Sequence, residues 1–335
     1  MTKTRRSSIS KLRSSCRQLF KLKTTEDPCN DDTDTNTKEQ TNLAQHTNMY
    51  AEEQTSSHPK GISVYCLRQT LLREVTEAGL GEESTIYQLE NLRKNTFGVI
   101  RRKGAANKCP RDGGMGAAYV DCLEGEDNVG PANRMLSYLW GYTIGDIIDC
   151  LEEYCVNNRM DPKRTYIWIC CLCNNQHRVR ENVPFDNFHT IFRDTVLNVG
   201  HVLALMAPRD SFHYLNRVWC IFELFTADAT DDCKVEIIMP PRQKEEMLKD
   251  LRYYDNLVGV LVATDIENAE ASKEEDKIKI MELVKRDTGV AVLNKHVNDL
   301  LRTCIRRVIL TAVDDFGAQS DDRSMDLEFA SLCFD

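Results

Sequence analysis

Strand-like and helix-like runs alternate between residues 133 and 241, and that alternation leaves few folds open. Its clearest member is Thr165 to Cys173, a nine-residue run of β-branched, aromatic and sulfur-bearing side chains. A strand without polar alternation has both faces buried, as happens in parallel sheets. Met135 to Trp140 reads as an earlier short strand. After it, Ile144, Ile147, Ile148, Leu151, Tyr154 and Cys155 fall on one helical stripe. A polar loop, Asn174 to Pro184, precedes a second helix pattern at Phe185, Phe188, Ile191, Phe192 and Val196. Then come a strand at Val202 to Met206, a helix at Val218 to Thr226, and a strand at Val235 to Met239 stopped by Pro240-Pro241. Strands alternating with helices predict an α/β fold, a parallel sheet with helices on both faces.

The flanks differ in kind. Residues 1–23 hold eight Lys or Arg and no acid, with Ile9, Leu12, Cys16, Leu19 and Phe20 at helical spacing. Three readings stay open there: a disordered basic tail, an organelle-targeting segment, or a membrane-surface anchor. Residues 24–60 are polar and nearly free of large apolar side chains, so too little surface is available to offset chain entropy, and 1–60 is predicted disordered. Residues 61–132 form an N-terminal extension with an apolar run at Ile62 to Leu67. It also carries a Gly-rich stretch, Asp112-Gly113-Gly114-Met115-Gly116, which lacks the Lys and Ser/Thr of a phosphate-binding P-loop and reads as structural. Residues 242–313 are mainly helical apart from a strand-like run, Leu257 to Ala263. Their stripe of Leu293, Val297, Leu300, Leu301, Cys304, Ile305 and Val308 should pack back on the core. An acidic tail, 314–335, follows.

Bulk properties narrow the function. The net charge of −9 disfavours a general nucleic-acid binder, whose surface must neutralise phosphates. No apolar run reaches the length of a membrane span. Fourteen cysteines lie largely inside apolar stretches and no secretory leader is visible, so they read as buried thiols of a cytoplasmic protein. Cys170 and Cys173 form one Cys-x-x-Cys, but no second pair completes a zinc set, and no metal is expected.

The chemically informative stretch is Asn216-Arg217-Val218-Trp219-Cys220-Ile221-Phe222-Glu223-Leu224. On a helix, Val218, Phe222 and Phe225 make a buried stripe, while Trp219 and Glu223, four apart, share a neighbouring face. A carboxylate is rarely buried without a partner or a task. By spacing alone Glu223 pairs with an arginine such as Arg217 or Arg193, and Trp219 fills core.

This segment resembles the Ser-x-Trp-Cys-x-x-Glu-Leu run of Toll/interleukin-1 receptor (TIR) domains. Met135-Leu136-Ser137-Tyr138 resembles that family's first strand. Phe188 to Met206 resembles the helix and strand preceding the motif, and Val235 to Pro240 a late strand ending in proline. The larger block from Val64 to Ile309 resembles a family of uncharacterised microalgal and protist proteins. It does so through Leu-Ser-Tyr-x-Trp-Gly-Tyr, Trp-Ile-Cys-Cys-Leu-Cys-Asn-Asn-Gln-His and Arg-Val-Trp-Cys-Ile-Phe-Glu-Leu-Phe. Three departures from TIR domains stand out. Trp140-Gly141-Tyr142 follows the first strand, Cys171-Leu172-Cys173 ends the second where Asp is frequent, and the next loop lacks Arg-Asp-x-x-Pro-Gly.

The TIR resemblance implies a flavodoxin-like sheet and two alternatives. In one, the chain consumes NAD⁺ as substrate, with no permanently bound cofactor. Glu223 is then the catalytic carboxylate that stabilises the oxocarbenium-like state as nicotinamide leaves. Trp219 lines the pocket, and Tyr138, Trp140, Tyr142 and His177 are candidates to contact the nucleotide. In the other, the domain is a non-catalytic signalling module that forms homo-oligomers or binds signalling proteins through the same helix and the loop 174–184. A nucleoside deoxyribosyltransferase of similar topology is a third reading. The first two are separable by geometry, because an enzyme needs Glu223 at the mouth of an open pocket.

Overall fold

The computed structural model describes residues 58–90, 97–182, 185–207, 213–230, 232–250, 266–271, 274–287, 289–300 and 302–303. Residues 1–57 with the basic segment, the run 257–263, Leu301, Cys304 and everything beyond lie outside them, as do the side chains of Phe185 and Phe188. Six strands make one sheet: β1 (Lys60–Ser63), β2 (Val129–Pro131), β3 (Arg134–Ser137), β4 (Tyr166–Ile169), β5 (His201–Leu205) and β6 (Lys234–Ile238). Their order is β2-β1-β4-β3-β5-β6. The four from β3 onward run parallel, whereas β1 pairs antiparallel with both β2 and β4. The fold is therefore α/β with a mixed, mostly parallel sheet.

The alternation of the parallel strands with helices is the one the sequence carries. Helix α4 (Ile144–Asn157) joins β3 to β4, α7 (Phe185–Val199) leads into β5, and α8 (Val218–Ala229) joins β5 to β6. The Thr143 hydroxyl caps α4 by accepting from the Asp146 N–H at 3.1 Å. Along β5 every residue from Val202 to Leu205 is buried, and successive side chains point to opposite faces, so apolar side chains cover both faces of the sheet. The second cluster takes in Leu293 and Val297 of the C-terminal stripe together with Val218 and Phe222 of α8.

Two local expectations need correction. The run Thr165 to Cys173 is strand only to Ile169; Cys170–Cys173 is a helical turn, α5. Beyond Leu136↔Ile169 the neighbouring strand β3 has only Ser137 left, so further extension would strand unpaired backbone. The helical turn keeps Cys171, Leu172 and Cys173 buried while bonding its own backbone. Much of the polar stretch 174–184 is helix α6 (Gln176–Asn182), started by Asn175, whose side-chain oxygen accepts from the His177 N–H at 3.0 Å. The Gly-rich extension adds β2 to the sheet edge, in register Ile62↔Val129, a pairing no local pattern announces.

The extension also builds a wall beside the ends of the parallel strands. Helix α1 runs through Val64–Cys66, a π-helical turn Leu67–Leu71, and Leu72–Glu77. A capping box at Thr85 and Gln88 starts α2 (Ile86–Leu89), and Gly98 starts α3 (Val99–Gly104). Gly98 packs so closely that a Cβ there would lie 2.2 Å from the Leu89 carbonyl oxygen and 2.7 Å from Glu90 Cα. Backbone cannot yield as a side-chain tip does, so Gly98→Ala is expected to push α3 off α2. A urea denaturation midpoint should register a loss of about 1–3 kcal/mol, of the order seen for overpacking.

Candidate functional site

A cavity of about 580 Å³ opens where the carboxyl ends of the parallel strands meet α8 and the N-terminal extension. That volume suits a nucleotide-sized ligand, and the carboxyl ends of parallel strands are where α/β sheets place ligands. Tyr138, Leu139 and Trp140 line it from the turn after β3, and Cys170 from the turn after β4. Trp219, Cys220 and Glu223 reach it from α8, and Tyr87, Glu90 and Arg101 from the extension.

Glu223 is 6% exposed yet belongs to the cavity wall. Its carboxylate accepts a short hydrogen bond from the Ser137 hydroxyl, at the end of β3. Ser137 Oγ in turn lies 2.5 Å from the Tyr214 hydroxyl, on the turn His213–Asn216 that precedes α8. Tyr214 is fully buried and also donates to the Cys220 carbonyl at 3.4 Å. A chain of two hydroxyls thus fixes the Glu223 rotamer from behind. Burial pushes the Glu223 carboxyl up to about 8, and the Ser137 hydrogen bond works against that rise. Among the described residues no arginine forms an ion pair with Glu223, in contrast to the pairing that spacing alone suggests. Arg193 instead donates to Asp194, at 2.6 and 2.8 Å.

Trp219 shares the cavity with Glu223. It is held by Phe192, ring centroids 5.8 Å apart, and by a bond from its indole N–H to Asp276 at 3.2 Å. Asp276 belongs to α9 (Glu274–Asp287) and also lines the cavity, so the C-terminal region helps to shape it. Tyr138 and Trp140 are brought to the same cavity. Tyr142 and His177 are placed elsewhere. The Tyr142 hydroxyl accepts from the Ala207 N–H at 3.3 Å, tying the chain after β3 to the end of β5. His177 sits behind the wall, Nε2 3.0 Å from the Arg101 carbonyl oxygen and its ring edge-on to Phe97 at 5.1 Å. Burial holds its pKa below the ordinary histidine value, so it is neutral at physiological pH.

Cys170 is a partly buried thiol in the cavity wall. Burial pushes its pKa to about 11, which leaves almost no thiolate at neutral pH. Among the described residues every cysteine is a free thiol, and no cluster of three His, Cys, Asp or Glu is placed to hold a metal ion. No described helix is long and apolar enough to cross a membrane.

Tyr87, Glu90, Arg101 and Asp276 carry no signal in the sequence. They lie far from the Trp219–Glu223 motif along the chain, and only the folding of the extension and the C-terminal helix brings them to it. Ser137 is the partial exception, because it ends the strand motif Met135-Leu136-Ser137-Tyr138. In comparisons with known proteins, no family model, no curated protein and no solved structure matches the chain.

Proposed function

We propose that the chain is a TIR-like, flavodoxin-like α/β protein that cleaves NAD⁺ at the nicotinamide glycosidic bond, with Glu223 as its catalytic carboxylate. The observation that carries this reading is the placement of Glu223. It is buried, held by hydroxyls rather than by an arginine, and set in the wall of an open, nucleotide-sized cavity. An assembly module has no need of such a cavity. The order of the four parallel strands supports the fold half of the reading. Numbered along the chain from β3, they run second-first-third-fourth, the flavodoxin-type arrangement, whose ligand crevice lies between the first and third.

In the proposed step the C1′–N bond of NAD⁺ breaks and its electron pair goes to the pyridine nitrogen, so nicotinamide leaves neutral. The ribosyl carbon takes up positive charge, which Glu223 opposes when ionised. Water then attacks C1′ and gives up a proton, for which the carboxylate is the nearest base. A preorganised charge in a cavity whose water the bound substrate displaces is worth far more than one in bulk solvent.

The carboxylate form is required, so the sign of the pH dependence follows. In the free enzyme Glu223 is mostly protonated below about 8 and ionises above it. The proposal therefore expects kcat/KM to rise with pH, with a limb centred near 8. Nicotinamide release by the full chain across pH 6 to 9, wild type beside Glu223→Gln, is the test. Release that is lost in the variant and follows this limb supports the enzyme; no release from folded wild type moves the reading to a non-catalytic assembly module.

A further inference from the structure

We infer that Asn174 and Gln176, in the turn after β4, form a specificity subsite that reads a planar primary carboxamide on the ligand and rejects the corresponding carboxylate. Both residues line the cavity that holds Glu223, although Asn174 is only 5% exposed and Gln176 8%. Among the described residues the Asn174 carboxamide has no hydrogen-bond partner. A buried amide left unpaired costs about as much as a lost hydrogen bond, so this one is set toward a group that the chain itself does not supply. Its neighbour shows the contrast. Asn175 is fully buried and engaged at both ends of its amide: Nδ2 donates to the Gly116 carbonyl at 2.8 Å, and Oδ1 accepts from the His177 N–H at 3.0 Å. Those bonds tie the turn to the N-terminal extension and hold the backbone that carries Asn174.

Gln176 is held in one orientation. Its Nε2 donates to the Cys170 carbonyl at 3.2 Å and to the Asn174 carbonyl at 3.3 Å, which commits both amide protons. Oε1 is left as its polar end toward the cavity, and that oxygen can only accept. A ligand carboxamide answers the pair: its amino group donates to Gln176 Oε1, and its carbonyl accepts from Asn174 Nδ2. A carboxylate has no proton for Gln176 and sets an oxygen against Oε1. A site built to hydrogen-bond a group rejects the analogue that cannot, because its buried polar atoms are then left unpaired. Tyr138, Trp140 and Trp219 line the same cavity, so the carboxamide is expected on an aromatic ring. The inference rests on the proposed function for its place in catalysis and adds a discrimination to it. Breaking the C1′–N bond does not require an amide, since a nicotinate ring leaves by the same route; the amide is demanded by this turn alone.

Calorimetric titration of the full chain with nicotinamide, 3-acetylpyridine and nicotinate tests it, for wild type and Asn174→Ala. The variant removes an amide that bonds to no other described residue, so the fold is not at risk. Nicotinamide should bind wild type at least about tenfold more tightly than nicotinate, and than 3-acetylpyridine, which has a methyl where Gln176 needs a donor. Asn174→Ala should weaken nicotinamide about tenfold or more. Nicotinate binding as tightly as nicotinamide, nicotinamide binding indifferent to Asn174→Ala, or no saturable nicotinamide binding would each overturn the subsite. A chain that binds nicotinamide as expected but releases none from NAD⁺ keeps the subsite and refutes only the chemistry. Cleavage of NAD⁺ and its nicotinic-acid analogue at equal kcat/KM refutes the subsite and keeps the chemistry.

Discussion

Replacing Glu223 by glutamine is expected to abolish nicotinamide release while making the protein more stable, by an amount that grows as pH rises from about 4.5 to 8. On the proposed mechanism the loss follows from removing the carboxylate that opposes the ribosyl cation, and at least about a hundredfold in kcat/KM is the scale for such a group. The gain follows from linkage. Glu223 has a folded-state pKa near 8 against an ordinary 4.5. Below pH 4.5 it is protonated in both states and costs nothing. As pH rises from 4.5 to 8 the unfolded chain ionises while the folded one resists, so folding loses free energy; above 8 the loss is complete. At about 1.4 kcal/mol per pKa unit the penalty is on the order of a few kcal/mol. Glutamine carries none of it. Thermal melts should therefore place Glu223→Gln roughly 5 °C or more above wild type at pH 8.5 and level with it at pH 4.5. Ser137→Ala removes the hydrogen bond that favours the carboxylate, so its difference from wild type should widen toward higher pH. A flat difference across that range would mean that Glu223 is ionised throughout, and the electrostatic picture of the site would fail.

Arg101→Ala is expected to be the most destabilising single change in the cavity wall. It strips the guanidinium 2.8 Å from a carboxylate that is 8% exposed, so a buried charge loses its hydrogen-bonded counter-ion. Removal of one partner of a buried pair costs roughly 3–5 kcal/mol. The two charges together are a different matter. Glu90→Gln combined with Arg101→Met should recover most of the loss, because the double variant buries no charge. Urea midpoints of the two single variants and the double variant give the coupling directly. Additive losses would show that Arg101 works through its packing on Phe97, 5.5 Å from the ring centroid, rather than through Glu90.

The alternation of elements from β3 to β6 was legible because each needs only local information. Apolar residues at helical spacing define α4, and continuous apolar runs define strands buried on both faces. The same continuity misled at Cys170 to Cys173, since an apolar run states that residues are buried and not in which conformation. There the end of the partner strand decided for a helical turn. Trp219 and Glu223 could be placed on one helix face from their spacing of four. Whether that face met an arginine or a cavity could not, because the answer lies in Ser137 and Tyr214, which approach from other elements.

By itself the sequence determined an α/β chain with its parallel strands between residues 133 and 241, a buried carboxylate on α8, and several thiols buried as apolar filling. The tertiary structure decided that residues 60–131 complete the sheet edge and wall the cavity, and that Glu223 is held by hydroxyls. It also decided that Tyr142 and His177 brace the surroundings rather than line the cavity. The physical reason is range. Periodicity and burial are properties of neighbouring residues, whereas a cavity is made of side chains whose only relation is the three-dimensional path of the chain between them.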